Sequence, residues 1–175
     1  GSYTYTGSAI QPEVTVKDGD KVLVKGTDYD VTYGENTNVG EGTVKITMKG
    51  NYSGELEQTF DITPKEITKP TLEGLADSYT YTGEPIEPTF SIDGLVEGTD
   101  YEVTYTNNED VGEATITVTM KGNYEGEFQY NFPITAKEVT PTIEGLDGSY
   151  TYTGSAIQPE VTVKDGDKVL VKGTD

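Results

Sequence analysis

Residues 43–48 read Thr-Val-Lys-Ile-Thr-Met, a strict alternation of polar and apolar side chains. Successive side chains of a β-strand point to opposite faces, so Val44, Ile46 and Met48 share one face. The pattern predicts a strand with one buried and one solvated face, which is typical of antiparallel sheets. Residues 3–6 and 13–17 alternate in the same way and are also predicted to be strands.

Glycine-rich turns separate these strands, and no helical periodicity is present. Lys17–Lys21 contains an Asp-Gly pair between two alternating stretches and therefore predicts a β-hairpin. The matching stretch at 90–96 is four residues shorter, which indicates an exposed hairpin tip. The insertion is open to two interpretations, a contact loop or neutral drift, and we favour drift.

The chain repeats itself at two levels. Residues 148–175 are identical to residues 1–28, a period of 147 residues. A looser repeat of about 72 residues keeps the glycines, the tyrosines and the apolar pattern while other positions differ. The looser repeat indicates a shared fold, and the exact one indicates recent duplication of a two-unit cassette or a designed sequence.

The repeats divide the chain into three predicted units. Residues 1–63 form one unit without its first strand, 64–136 a complete unit, and 137–175 the start of the next. Proline-containing junctions separate the units, and Ile67 and Val139 are expected to begin the first strand of the unit that follows. Six or seven short strands per unit predict small antiparallel β-sandwiches arranged end to end as a rod. The chain is expected to be a window of a longer array.

Composition and charge exclude several classes of protein. The 175 residues include 31 acidic residues, 12 basic residues and no cysteine or histidine, and the net charge is −19. Such a chain repels nucleic acid, and it has no apolar run long enough to span a bilayer. Catalysis by Ser-His-Asp or Cys-His groups is impossible, and so is a zinc site of the usual kind. We predict no enzymatic activity and no catalytic, cofactor-binding or metal-binding residues.

Acidic loops leave calcium as an alternative. No complete calcium-loop pattern with a distal glutamate is present, and the hairpin explains Asp18 and Asp20. Asp28 and Asp100 are expected to cap backbone amides in turns. If calcium binds at all, the expected place is a junction between units, where Glu66 or Glu138 approaches a neighbouring loop.

Two further recurrences have both a structural and a functional interpretation. Lys49 and Asn51 recur as Lys121 and Asn123, and a Lys–Asn isopeptide cross-link is the alternative to a simple turn in which Asn51 tolerates unusual φ.

Tyrosine pairs recur too, and we favour packing on the core over binding of glycans or proteins. Tyr52 and Tyr124 are expected to plug the end of a sandwich. The tyrosine pairs are Tyr3 and Tyr5, Tyr79 and Tyr81, and Tyr150 and Tyr152.

Five strings recur in order: YTG-x-x-I-x-P, GTDY-x-VTY, N-x-x-VGE, KGNY-x-G and F-x-I-T. Together they resemble the bacterial immunoglobulin-like tandem repeats of Gram-positive cell-surface proteins, and they are similar to related all-β modules of large adhesins. The resemblance covers the whole chain. It implies a stalk or spacer module displayed outside the cell, with no catalytic residues to transfer.

The expected function is therefore a structural stalk of an extracellular bacterial surface protein, attached to the cell wall and projecting a distal binding region. One alternative is a multivalent adhesin that binds host glycans or proteins. Another is a self-assembling filament, because residues 137–175 of one copy and 29–63 of another make one whole unit. The expected partners are neighbouring repeats of the same chain, with other copies or host surface ligands under the alternatives, and neither nucleic acid nor membrane insertion.

Overall fold

The computed structural model describes residues 1–174, and these residues form strands and turns without any helix. The prediction of an all-β chain is confirmed. Asp175, the last residue of the predicted third unit, lies outside the described residues. The strands are β1 (Ser2–Thr4), β2 (Lys17–Asp18), β3 (Lys21–Val22), β4 (Tyr29–Tyr33), β5 (Gly40–Met48), β6 (Glu55–Thr63), β7 (Lys65–Glu66), β8 (Tyr79–Thr80), β9 (Tyr101–Thr106), β10 (Gly112–Met120), β11 (Tyr124–Glu125), β12 (Glu127–Thr135), β13 (Thr142–Glu144), β14 (Thr162–Asp165) and β15 (Lys168–Val169).

Two four-stranded sheets with matching topology follow the sequence repeat. Their strand orders are β1-β6-β5-β4 and β8-β12-β10-β9. The three longer strands of each sheet pair antiparallel, as predicted. The short outer strands β1 and β8 pair parallel to β6 and β12, so the sheets are mixed and the prediction of purely antiparallel sheets was wrong. A long connection separates each outer strand from its partner in sequence, which allows the parallel direction.

Three smaller sheets complete the described chain. β2 and β3 form the predicted hairpin, and Gly19 at its tip has φ of +58°, which favours glycine. In residues 137–174, β13, β14 and β15 form a three-stranded sheet. β7 and β11 form a short parallel pair, which joins the start of the second repeat to the turn near the end of the same repeat.

Three predicted strands differ from the observed ones. Residues 13–16 alternate in sequence but lie outside the named strands, because Thr15 has no β-partner in residues 1–174. Ile67 does not begin a strand: β7 ends at Glu66, and Ile67 instead packs on the core. Val139 also lies outside any strand and is 36% exposed, while β13 begins three residues later.

The cores of the first two repeats differ in size. In residues 64–136 a fully buried group centred on Ile116 and Val118 is extended by Leu72, Leu75 and other half-buried side chains. In residues 1–63 the corresponding cluster is smaller. Val44 and Ile46 are buried as predicted, whereas Met48 is only half-buried. The buried cluster of 64–136 is Ile92, Tyr101, Ala114, Ile116, Val118, Met120, Phe132 and Ile134, and that of 1–63 is Leu23, Tyr29, Val44 and Ile46.

Candidate functional site at the junction between repeats

The recurring Lys-Gly-Asn-Tyr sequence forms a tight turn in both repeats, as predicted. The Lys121 amide donates to the carbonyl of Asp100 at 2.9 Å, and the Tyr124 amide donates to the carbonyl of Lys121 at 3.2 Å. Gly122 has φ of +66°, so glycine rather than asparagine takes the left-handed conformation. The expectation that Asn51 adopts unusual φ was wrong, because the matching Gly50 does so instead. The asparagine side chain is therefore free to face outward from the turn.

In residues 64–136 this asparagine bonds to the preceding repeat. The amide of Val39 donates to Oδ1 of Asn123 at 2.9 Å, and Nδ2 of Asn123 donates to Oδ1 of Asn38 at 3.1 Å. The carbonyl of Asn123 also accepts from the amide of Lys65 at 3.0 Å. One residue thus joins the loop of the first repeat, the linker and the second repeat.

An aromatic pair lies beside these hydrogen bonds. The rings of Tyr5 and Tyr124 meet edge to face, with centroids 5.6 Å apart. This geometry places the positive edge of one ring on the negative face of the other, a favourable arrangement. Burial raises the pKa of Tyr124, and the neighbouring Tyr5 contributes to the rise. The hydroxyl of Tyr124 therefore releases its proton less readily than that of an exposed tyrosine.

A second asparagine is buried beneath the loop that receives Asn123. Asn36 is 7% exposed, and its Nδ2 donates to the carbonyls of Ile10 and Thr43 at 3.1 and 2.9 Å. Its Oδ1 accepts from the amide of Thr43 at 2.8 Å. In the second repeat Asn108 repeats the bond to the carbonyl of Ile86, at 3.0 Å. The second loop thus keeps the bond to the isoleucine carbonyl. The residue with positive φ is Asn36 in the first loop and Asn107 in the second, so the two loops differ in local conformation.

Residues that form the junction are more buried than the residues at the same positions of the other repeat. Asn123 is half-buried, whereas the corresponding Asn51 is exposed. Val39 is half-buried, whereas the corresponding Val111 is 56% exposed. The junction therefore has two complementary halves, a turn at 121–124 and a loop at 35–39.

Residues 137–174 meet the second repeat at Tyr81, the residue that matches Tyr5. Nζ of Lys168 lies 5.9 Å from the centroid of the Tyr81 ring. In the first repeat the matching Lys21 donates from Nζ to the hydroxyl of Tyr52 at 2.9 Å, which raises the lysine pKa. Lysine–tyrosine contacts thus occur at the same hairpin in both copies of the duplicated sequence.

The candidate acidic residues are dispersed. Oδ2 of Asp28 and of Asp100 accepts from the amides of Val24 and Val96, both at 2.9 Å, so their predicted capping role is confirmed. Within residues 1–174, no three acidic side chains come together as a possible metal site. Asp18 and Asp20 are exposed at the hairpin, Glu66 lies in β7, and Glu138 is exposed in the linker.

The lysines of the two turns pair with carboxylates rather than with asparagines. Nζ of Lys49 lies 2.7 Å from Oδ1 of Asp30, and Lys121 pairs with Glu102 in the same way. Because the asparagine of the second turn binds across the junction, Lys121 and Asn123 have separate partners. The structure thus supports the turn interpretation of this recurring sequence.

Most of the paired tyrosines pack on apolar side chains, as favoured from the sequence. Tyr3 meets Phe60 edge to face at 5.3 Å, and Tyr79 meets Phe132 at 5.2 Å. Tyr81 packs on the core of residues 64–136. Tyr152 differs, since it is 87% exposed.

Comparison with known proteins adds no support to the resemblance to immunoglobulin-like repeats, which is based on the recurring strings alone. No protein-family model matches the chain, and no curated protein matches it either. Among residues 1–174 no helix has the length and apolar character that a membrane span requires.

Sequence reasoning found the turn but missed its role at the junction. Asn123, Asn38 and Val39 lie in strings that recur in both repeats, and the turn was expected only to close a loop. Their contact spans 84 residues of sequence, so no local pattern reveals it. One feature of the sequence did point to a role for this position. A polar asparagine follows the turn glycine in both repeats, as Asn51 and as Asn123.

Proposed function

We propose that the chain is a structural stalk of an extracellular bacterial surface protein, built from small immunoglobulin-like β-sandwiches joined end to end. Its function is to project a distal binding region away from the cell wall. The observation that carries this proposal is the junction at Asn123, where one side chain bonds to two residues of the preceding repeat. A linker flanked by such contacts resists bending.

Chemistry and charge also favour a spacer. The contacts at the junction involve the chain's own repeats. Asp28 and Asp100 cap turns, and the other candidate acidic residues lie exposed. A net charge of −19 keeps parallel rods apart and soluble. At about 3.3 Å per residue, strands of about 8–10 residues give roughly 30 Å of reach per repeat.

Small-angle scattering tests the proposal on the 175-residue chain and on a chain with the 147-residue cassette duplicated once more. We expect an elongated particle whose maximum dimension grows in proportion to the number of repeats. Measurement at low concentration separates this from association between copies. A maximum dimension that stays nearly constant when the cassette is added would contradict a rod.

The multivalent adhesin is the second candidate, and the exposed hairpin at Asp18 and Asp20 favours it. The tyrosine pairs of the first two repeats pack on other rings or on the core, so the hairpin is the contact to test. Titration of the chain against arrays of host glycans and matrix proteins tests this function. Saturable binding that is lost when Asp18 and Asp20 and their copies Asp165 and Asp167 are replaced by serine would support it, and no binding across the arrays would exclude it.

A further inference from the structure

A hairpin distinguishes two kinds of repeat in this chain. β2 and β3 form it in residues 1–63, and β14 and β15 form it again in residues 137–174. In residues 64–136 the tight turn at Asp93-Gly94 takes its place. Repeats with the hairpin are called hairpin repeats below, and the kind at 64–136 is called a short-turn repeat.

The lysine of this hairpin contacts a tyrosine of its own repeat. Nζ of Lys21 donates to the hydroxyl of Tyr52 at 2.9 Å and lies 5.4 Å from the centroid of that ring. Tyr52 follows the Lys-Gly-Asn turn, and it matches Tyr124 of the next repeat. The hairpin therefore reaches the turn tyrosine, which in the short-turn repeat faces the junction.

The second copy of this lysine contacts a tyrosine of the preceding repeat. Lys168 matches Lys21, and its Nζ lies 5.9 Å from the centroid of Tyr81, within the range of a cation–π contact. Tyr81 matches Tyr5, which meets Tyr124 across the first junction with centroids 5.6 Å apart. Tyr81 is thus the tyrosine that a short-turn repeat presents to the repeat after it.

The two lysine contacts fit one arrangement. Since Tyr5 meets Tyr124 at the first junction, Tyr81 is expected to meet the turn tyrosine of a hairpin repeat that follows it. The hairpin lysine contacts one of these two rings in one copy and the other ring in the second copy. An ammonium group has three N–H donors, so it can donate to one hydroxyl while it lies over the other ring.

We propose that the hairpin is a contact between repeats, and that its lysine bridges two tyrosines wherever a hairpin repeat follows a short-turn repeat. One is the turn tyrosine of its own repeat, and the other is Tyr81 of the repeat before. The opposite junction has no hairpin lysine and uses the direct contact of Tyr5 with Tyr124. The inference concerns how repeats meet, so it holds for a stalk and for an adhesin alike.

Charge favours a lysine at this place. The chain has 31 acidic residues and 12 basic ones, so a cation at a junction offsets repulsion between neighbouring repeats. The hydrogen bond to Tyr52 raises the pKa of Lys21, and Asp28 and Asp18 add to the rise. The ammonium form, which both tyrosine contacts require, is thereby favoured. The hairpin thus has a partner as a contact loop, the interpretation that the sequence alone did not favour.

Proximity cross-linking tests the contact with the preceding repeat in the full chain. Fluorosulfate-tyrosine at position 81 reacts with the amine of a lysine held against it and releases fluoride. We expect mass spectrometry to find a cross-link to Lys168 that is lost in Lys168→Ala and retained in Lys172→Ala. The same amino acid at position 52 is the positive control, since Lys21 bonds to that hydroxyl. A cross-link at position 52 without one at position 81 would overturn the proposal.

Bridging is tested in a chain with the 147-residue cassette duplicated once more, where a complete hairpin repeat follows residues 64–136. Spin labels are placed at Gln129 and at the added copy of Glu57, both exposed positions. Lys168→Ala should increase the population of separated repeats about two- to fivefold, as expected for loss of an exposed cation–π contact. Lys21→Ala is the matched control, because no short-turn repeat precedes it in that chain. Equal effects of the two substitutions would overturn the bridge, whereas the cross-link reports the contact whether or not the chain is a rigid rod.

Discussion

The side-chain oxygen of Asn123 accepts a hydrogen bond from the backbone amide of Val39, across 84 residues of sequence. The same side chain donates to Asn38, and Tyr124 places its ring against Tyr5. A residue that would otherwise only follow a turn glycine therefore joins two repeats. We expect mechanical coupling between the two repeats to depend on this contact.

Replacing Asn123 should weaken the junction without damaging the turn. Asn123→Ala removes two hydrogen bonds, each with a net contribution of about 1 kcal/mol. We expect the first repeat to unfold at lower temperature, as measured by circular dichroism and calorimetry. Asn51→Ala is the matched control, because Asn51 occupies the same turn and is exposed. Equal effects of the two substitutions would contradict a role at the junction.

Gly42 has a packing role that differs between repeats. A Cβ at Gly42 would lie 2.5 Å from the ring of Phe60, whereas the second repeat has Ala114 at the matching position, fully buried. Gly42→Ala should therefore destabilise the first repeat by about 1–3 kcal/mol. Chemical denaturation measures the loss, and an unchanged midpoint would show that Phe60 shifts without cost.

The Asp100 cap should contribute about 1 kcal/mol to the second repeat. Its Oδ2 satisfies the amide of Val96, so Asp100→Ala leaves that donor without its partner. Asp100→Asn retains an acceptor oxygen and should recover most of the loss. If both variants are equally destabilised in denaturant titrations, the carboxylate charge rather than the hydrogen bond stabilises the turn.

Stability should fall at alkaline pH. Burial raises the pKa of Tyr101, Tyr105 and Tyr130 above 10.0 in the folded chain. Burial raises the pKa of Tyr124 in the same direction. The folded state then holds protons that the unfolded state releases, so this stability is complete below about pH 10 and is lost as pH rises through the folded pKa values. Melting temperatures and tyrosinate absorbance across that range measure the effect. A melting temperature that rises there would contradict the burial of these hydroxyl groups.

The sequence predicted the features set by local patterns. Alternation located β5, and Asp-Gly located the hairpin before Lys21, because side-chain period and turn chemistry act over a few residues. Alternation at 13–16 was insufficient, since a strand also needs a partner and Thr15 has none in the described chain. The parallel pairing of β1 with β6 depends on distant parts of the chain, so no local pattern specified it.

The junction could not be predicted either, because it also depends on contacts between distant parts of the chain. Asn123 and Asn38 looked like turn and loop residues, which they also are. Their pairing depends on how one repeat stacks on another, and that geometry follows from the linker at Lys65 bonding to the turn. The recurrence of both strings indicated that they matter, but not that they meet.

The coupling between repeats is best tested by the distance between spin labels on matching central-sheet positions. Glu57 and Gln129 are both exposed and lie in β6 and β12, so cysteines there carry labels without disturbing the core. Pulsed electron resonance on the dilute chain should give one narrow distance distribution, which Asn123→Ala broadens and Asn51→Ala does not. A distribution that is already broad in the parent chain would contradict a rigid stalk.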